Sequence, residues 1–125
     1  KYNILGISNE SPKWNYNFYI ELAKCKMSLN LSRGKPLKYT SSNRIAALIG
    51  NGIYTFIDKN TKFNDFFSDN EVGFYKDVND LGKKIEYLLT YPKKINEYGR
   101  LGKNKYFKLF NNKLITKNII YKTFN

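Results

Sequence analysis

Residues 30–52 read NLSRGKPLKYTSSNRIAALIGNG, and this stretch decides the fold of the chain. An apolar segment, Met27–Leu31, runs into a loop rich in basic and hydroxyl side chains, and the loop opens a segment with helical periodicity. A helix start exposes backbone N–H groups and the positive end of the helix dipole, which together suit an anion such as a phosphate. The stretch therefore predicts a strand, an anion-binding loop and a helix in series.

The residues that could hold an anion in this loop are basic or carry a hydroxyl: Arg33, Lys35, Lys38, Thr40, Ser41, Ser42 and Arg44. A purely structural interpretation stays open beside this one. In it, Ser41 or Ser42 is only the N-cap of the helix, and the basic side chains form only a solvated surface.

The rest of the chain extends this pattern into a layered α/β fold within 125 residues, a length typical of one domain. Apolar segments without polar alternation are typical of parallel strands covered on both faces. They are Tyr2–Ile7, Met27–Leu31, Ile53–Ile57 and Val72–Tyr75. We therefore predict one domain, residues 1–125, with a Rossmann-like parallel sheet of about four strands flanked by helices.

Helical periodicity fills the intervals between the strands and the last third of the chain. A first helix is predicted to place Tyr16, Tyr19, Ile20 and Ala23 on one face. Later helices are predicted from a cap at Asp77 to Leu89, from Lys93 towards Phe110, and around Ile115, Ile119 and Ile120. Within the second of these, Gly102 falls on the apolar face, which indicates close packing.

Charge and composition restrict the function classes. The net charge of +12 favours a phosphorylated small molecule, nucleic acid or an anionic membrane, and the scattering of the lysines disfavours nucleic acid. The chain has no histidine and one cysteine, Cys25, which excludes a zinc site and His-dependent catalysis, so no metal or cofactor is expected. No apolar run is long enough to span a bilayer, and the composition favours a bacterial cytoplasmic protein.

Two other loops follow the carboxyl ends of predicted strands, where open α/β sheets bind ligands. They contribute Asn9, Glu10 and Asp58 as possible contacts, either acid acting as a base or orienting a hydroxyl. The structural alternative makes each acid a helix cap or turn former. Gly50 and Gly52 are explained by the turn into Ile53, the alternative being a close approach of their backbone to a ligand.

The order of several motifs resembles group 1 glycosyltransferases with the GT-B fold. Arg44–Gly52 (RIAALIGNG), followed by the strand to Asp58, is similar to the family's R-[IV]-[FA]-E-A-x-[GA]-x-G helix and strand. Residues 66–72 (FFSDNEV), 77–89 and 91–106 then resemble the family's following turn and two helices, with Gly99 and Arg100 in place. The resemblance covers nearly all of the chain and is greatest to the spore-maturation-like and lipopolysaccharide-biosynthesis branch.

The resemblance implies that this is the C-terminal domain, which binds a nucleotide-sugar donor. It implies a diphosphate site at Arg33, Lys38, Thr40, Ser41, Ser42 and Arg44, with Gly50 and Gly52 shaping the adjoining turn. The family's two donor-binding glutamates match Ala47 and Tyr39, which lack a carboxylate.

The same resemblance implies a longer enzyme that transfers sugar to a cell-surface glycan or similar acceptor. Its N-terminal acceptor domain would be the partner of this one, and the isolated 125 residues are predicted to be inactive, with catalytic residues unknown. A cytoplasmic location follows, with membrane association as a further option. The alternative function is a basic nucleic-acid-binding or interaction module without catalytic activity.

Overall fold

Three parallel strands form the sheet of the computed structural model, which describes residues 11–32, 34–40 and 42–124. They are β1 (Met27–Asn30), β2 (Tyr54–Asp58) and β3 (Gly73–Tyr75), in the order β1-β2-β3. Met27 pairs with Tyr54, and Phe56 pairs with Gly73. Three of the predicted strands are thereby confirmed, and the fourth, residues 2–7, lies outside the described residues.

Helices flank this sheet, as the alternating sequence pattern predicts for an α/β fold. They are α1 (Asn15–Ala23), α2 (Asn43–Gly50), α3 (Val78–Thr90), α4 (Pro92–Leu109) and α5 (Asn112–Phe124). Two short 3₁₀ turns, Lys59–Thr61 and Phe63–Asp65, connect β2 to β3.

The core lies on both faces of β2, whose residues 54–57 are all buried. On one face Ile57 packs with Ile45 and Ile49 of α2 and with aromatic side chains of the β2–β3 connection. On the other face Tyr54 and Phe56 pack with buried side chains of α3 and α4. Burial on both faces explains why residues 54–57 of β2 carry no charge, whereas β1 mixes polar and apolar side chains and leaves Leu29 exposed.

The start of α3 is fixed by a reciprocal cap. The Asp77 carboxylate accepts a hydrogen bond from the Asp80 backbone N–H at 2.9 Å, and the Asp80 carboxylate accepts one from the Lys76 N–H at 3.0 Å. The bond from Lys76 is the main reason why the pKa of Asp80 is lowered from its ordinary value. The predicted cap at Asp77 is confirmed.

Close approaches of α4 to the rest of the fold depend on two buried glycines. A Cβ at Gly99 would collide with the backbone carbonyl oxygen of Gly52, and one at Gly102 would collide with that of Glu71. These carbonyls lie just before β2 and β3, so α4 rests directly on the polypeptide backbone where the chain leads into each of these strands. The close packing predicted for Gly102 is confirmed.

The predicted apolar face of α1 is wrong. Tyr16, Tyr19, Ile20 and Ala23 are exposed, and α1 instead buries Leu22, which packs against the α2 side of the core. Several apolar side chains surround this short helix, so its periodicity alone does not select the face that meets the core.

In the ranges 11–32, 34–40 and 42–124, no helix is both long enough and apolar enough to cross a membrane.

Candidate functional site

The loop between β1 and α2 is bound to the chain that leaves β2. The Tyr39 N–H donates to the Thr61 carbonyl oxygen at 2.8 Å, and the buried Thr61 hydroxyl donates to the Asp58 carbonyl oxygen at 2.7 Å. Asp58 is the last residue of β2. These bonds bring the two loops together at the carboxyl edge of the sheet, where the sequence places the candidate site.

Tyr39 anchors the basic loop. Its backbone has the left-handed φ of +59°, and its hydroxyl donates to the Asp65 carboxylate at 2.7 Å. Its ring meets the edge of Phe66 with 5.2 Å between centroids, and the Lys38 Nζ lies 4.6 Å from the Tyr39 ring centroid. The sequence singles out Tyr39 only because it stands where the family has a glutamate. Its left-handed backbone and its bond to Asp65, 26 positions away, cannot be recognised from the neighbouring residues.

Arg44 extends from the first turn of α2 back to the end of β1. Its Nη2 donates to the Leu31 carbonyl oxygen at 2.9 Å, and its side chain is otherwise exposed. Among the described residues it forms no ion pair with a carboxylate. A guanidinium has five N–H donors, so this single bond orients Arg44 and leaves donors for an anion.

Ser42 occupies the N-cap position of α2 without making a side-chain cap. Its backbone is extended, with φ −109° and ψ 157°, and no hydrogen bond joins its side chain to the helix backbone. The hydroxyl instead lies 3.4 Å from the side-chain oxygen of buried Asn30, to which it donates. Ser42 is therefore the N-cap residue by position, and its carbonyl oxygen accepts a hydrogen bond from the Ile45 N–H at 2.9 Å, but its hydroxyl makes no bond to the start of α2.

The other predicted phosphate contacts are distributed as follows. Lys38 and Thr40 are exposed in the loop, and the Thr40 N–H donates to the Leu37 carbonyl oxygen. Arg33 and Ser41, and the possible contacts Asn9 and Glu10, lie outside the described residues.

Asp58 has a structural task in this arrangement. Its carboxylate accepts a hydrogen bond from the Asn60 N–H at 2.8 Å and thereby caps the Lys59–Thr61 turn. It also lies near Tyr75, whose pKa is raised first by burial and second by the Asp58 charge. Asp58 therefore acts in the way that the structural alternative describes.

Gly50 and Gly52 lie at the opposite end of α2 from the basic loop, which places them about 12 Å away for an eight-residue helix. Gly52 has a φ of +80° and approaches the Gly99 carbonyl group of α4. The turn that the sequence analysis expects to shape the site is therefore separated from the basic loop by the whole length of α2. The positive φ and the approach to α4 account for Gly52 without a ligand.

Ala47, which aligns with a glutamate in the resemblance, faces the protein interior. It packs against the cluster of Leu22, Leu48 and Ile53 between α1 and α2. A carboxylate in this position would have to be accommodated beside apolar side chains. The structure therefore explains locally why an alanine suits this face of α2.

A cleft of about 330 Å³ lies farther along the same edge of the sheet. Lys59, Lys76 and Lys84 line it, together with polar residues such as Ser68 and Asp69. The Lys84 ammonium donates to the Phe74 carbonyl oxygen and lies 3.4 Å from an Asp80 carboxylate oxygen. Lysines and carboxylates are therefore mixed in this part of the carboxyl edge, since Asp69 also lines the cleft.

Over the described part of the chain, no three side chains of His, Cys, Asp or Glu are grouped closely enough to hold a metal ion. What the edge presents is an oriented guanidinium, an N-cap hydroxyl turned away from its helix, and exposed Lys38 and Thr40. Such a set has the chemistry that suits an anion and includes no acid–base pair.

Comparison with known proteins matches the chain to a family. Residues 2–120 match the sequence model of a family described as glycosyl transferase-like. No curated protein and no solved structure matches the chain.

Proposed function

This chain belongs to the glycosyl transferase-like family, and from that premise we propose that it is the domain that binds a nucleotide-sugar donor. In this proposal the basic loop and the start of α2 bind the donor's diphosphate. The domain would be the C-terminal half of a GT-B enzyme, with an acceptor domain elsewhere in the same protein. The 125 residues alone would bind the donor without transferring its sugar.

The observation that carries the proposal is the arrangement of Arg44 and Ser42 at the start of α2. The bond to the Leu31 carbonyl oxygen holds the guanidinium at the strand end, beside the first turn of the helix. Because Ser42 makes no side-chain cap, an incoming phosphate oxygen would not have to displace its hydroxyl from the α2 N–H groups. A phosphate there would combine charge-assisted bonds from Arg44 with the helix dipole.

Neighbouring side chains would add to this anion site. Lys38 and Thr40 are exposed beside it, and Tyr39 fixes the loop that carries both. Arg33 and Ser41 belong to the same loop in sequence and complete the proposed set.

The proposal assigns most of the binding energy to the diphosphate. Ala47 packs into the core and the Tyr39 hydroxyl is bonded to Asp65, so neither position supplies a carboxylate for ribose or sugar hydroxyls. We therefore expect UDP, GDP and ADP to bind with similar affinities, since the base and ribose contribute little. The branch of the family and the acceptor, a cell-surface glycan such as lipopolysaccharide, remain proposals from the resemblance.

The test is calorimetric titration of the 125-residue protein with UDP, GDP, ADP and inorganic pyrophosphate at low salt. Arg44→Ala removes a charge-assisted bond worth about 1.5–3 kcal/mol, so we expect nucleotide affinity to fall by about tenfold or more. Arg100→Ala is the matched control, because Arg100 is an exposed arginine on α4. It should leave affinity unchanged.

Arg44→Ala also removes the bond to the Leu31 carbonyl oxygen, so its thermal midpoint is measured in parallel. We expect a loss of about 1 kcal/mol in unfolding free energy, too small to abolish folding. If no nucleotide binds, or if Arg44→Ala and Arg100→Ala bind equally well, the donor site is not at α2. Tight binding of mixed RNA or DNA in a gel shift, weakened by Arg44→Ala, would favour the nucleic-acid alternative instead.

A further inference from the structure

Apart from tyrosines, three residues with polar side chains are buried in the described part of the chain, namely Asn30, Thr55 and Thr61. Both threonines use their hydroxyl protons inside the fold. The Thr55 hydroxyl donates to the Ile53 carbonyl oxygen at 2.9 Å. The Thr61 hydroxyl donates to the Asp58 carbonyl oxygen at 2.7 Å. Such internal pairing is what buried polar groups require, and Asn30, which is only 6% exposed, departs from it.

The Asn30 side chain uses only its amide oxygen within the fold. This Oδ1 accepts the hydrogen bond from the Ser42 hydroxyl at 3.4 Å, whereas the Nδ2, which carries two N–H donors, has no partner among the described residues. Since the described residues include no side-chain nitrogen or oxygen that is both fully enclosed and without a partner, this Nδ2 is reached from outside the protein. Asn30 is therefore held by the core and oriented by Ser42, with its two donors accessible at the surface.

These unpaired donors lie at the start of α2. Asn30 is the last residue of β1 and pairs with Ile57, which packs against α2. Paired residues of neighbouring strands place their side chains on the same face of a sheet, so Asn30 lies on the α2 side. The next residue, Leu31, accepts the 2.9 Å bond that holds the Arg44 guanidinium. The Asn30 amide is therefore bonded to the N-cap residue Ser42 and adjoins the residue that anchors Arg44.

We propose that Asn30 is a further ligand-binding residue, whose Nδ2 donates a hydrogen bond to a phosphate oxygen bound at the start of α2. The assignment of Asn30 rests on the proposed function. An amide NH₂ group donates and does not accept, so it suits an ionised phosphate oxygen, which only accepts. A sugar hydroxyl would bring a proton of its own, and Ala47 and Tyr39 provide no carboxylate for it. Unlike the exposed Lys38, Asn30 has little freedom to lose on binding, because packing already fixes it.

Calorimetric titration of the 125-residue protein with inorganic pyrophosphate and with UDP tests the role of Asn30. Asn30→Leu approximately keeps the shape of the side chain and removes both N–H donors, so we expect affinity for each probe to fall by about tenfold or more. Ser28→Ala is the matched control. Ser28 lies two residues earlier on the same face of β1, and its hydroxyl is bonded to the Thr55 hydroxyl at 3.0 Å. Ser28→Ala should lower the thermal midpoint and leave both affinities unchanged, as a purely structural Asn30 would also do.

Nuclear magnetic resonance of the unsubstituted protein gives a second measurement that does not depend on how a variant folds. The side-chain amide resonances of Asn30 should shift when pyrophosphate is added. Those of Asn51, whose Nδ2 donates to the Ala47 carbonyl oxygen at the far end of α2, should not.

The outcomes separate the role of Asn30 from the donor site. Pyrophosphate and UDP binding that Arg44→Ala weakens and Asn30→Leu does not, with the Asn30 amide resonances unmoved, would overturn the role of Asn30 and leave the donor site in place. Pyrophosphate binding that Asn30→Leu weakens, without any binding of UDP, would support the role of Asn30 and remove the nucleotide donor. If neither probe binds, both proposals are overturned.

Discussion

The contact of α4 with the turn before β2 predicts opposite effects of the same substitution at two helical glycines. In Gly99→Ala the added Cβ would fall inside van der Waals contact of the Gly52 carbonyl oxygen and would lie 3.3 Å from the Tyr54 backbone nitrogen. Both obstacles are backbone, so the helix itself has to move. In Gly82→Ala, on α3, nothing lies within 4 Å of the new methyl group.

The expected changes in the free energy of unfolding follow from two opposing contributions. Overpacking against backbone costs about 3 kcal/mol, and replacing a helical glycine by alanine returns about 1 kcal/mol. We therefore expect Gly99→Ala to lower the free energy of unfolding by about 2 kcal/mol, which is about 7 °C in thermal midpoint for this chain length. Gly82→Ala should raise the free energy of unfolding by about 1 kcal/mol.

Urea unfolding followed by far-ultraviolet circular dichroism measures both variants against the parent, with the slope expected to stay constant. Gly102→Ala, which would meet the Glu71 carbonyl oxygen, should change stability in the same direction as Gly99→Ala. If Gly99→Ala proved as stable as Gly82→Ala, α4 would not rest on the Gly52 turn and the reasoning would be refuted.

Two further predictions concern the cap of α3 and the anchor of the basic loop. The hydrogen bond from the Lys76 N–H lowers the pKa of Asp80 in the folded protein. The ionised Asp80 carboxylate therefore stabilises the fold fully at any pH above the pKa that Asp80 has in the unfolded chain, and this stabilisation is lost as the pH falls through the lower pKa of the folded protein. The urea midpoints of Asp80→Asn and the parent should therefore converge as the pH falls below about 4, and a gap independent of pH would contradict the cap. Tyr39→Phe removes the hydrogen bond to Asp65 but keeps the ring, so UDP affinity in calorimetry should fall several-fold with a loss of stability of about 1 kcal/mol or less. Unchanged UDP affinity in Tyr39→Phe would show that this bond does not position the loop.

The strands and most helices could be predicted from the sequence because their signals are local. Residues 54–57 are uncharged and all buried because both faces of β2 are covered, and Asp77 caps α3 through a bond from Asp80, only three positions away. The face of α1 could not be predicted, because Tyr16 and Leu22 are both apolar and only the position of α2 decides which is buried.

Some features of the candidate site could also be predicted from the sequence, and others could not. Its place at the carboxyl end of β1 follows from the order of elements along the chain. The bond from Arg44 to the Leu31 carbonyl oxygen and the one from Tyr39 to Asp65 do not, because each joins residues more than ten positions apart through backbone or side-chain geometry. Gly50 and Gly52, which the resemblance places beside the site, lie at the opposite end of α2 from the loop.

Because β1 pairs with β2 in parallel, the strand that is synthesised first cannot complete its pairing until the second has also been synthesised. Ser28 and Thr55, whose hydroxyls are bonded across the two strands, are 27 positions apart, and a parallel crossover cannot close until its second strand is present. On the ribosome β1 therefore leaves the exit tunnel before β2, while β2 and β3 have a shorter connection to close. During that interval the nascent chain carries Met27 uncovered, because this side chain packs against the Tyr54 cluster only in the folded protein, and it is where a chaperone would engage the chain.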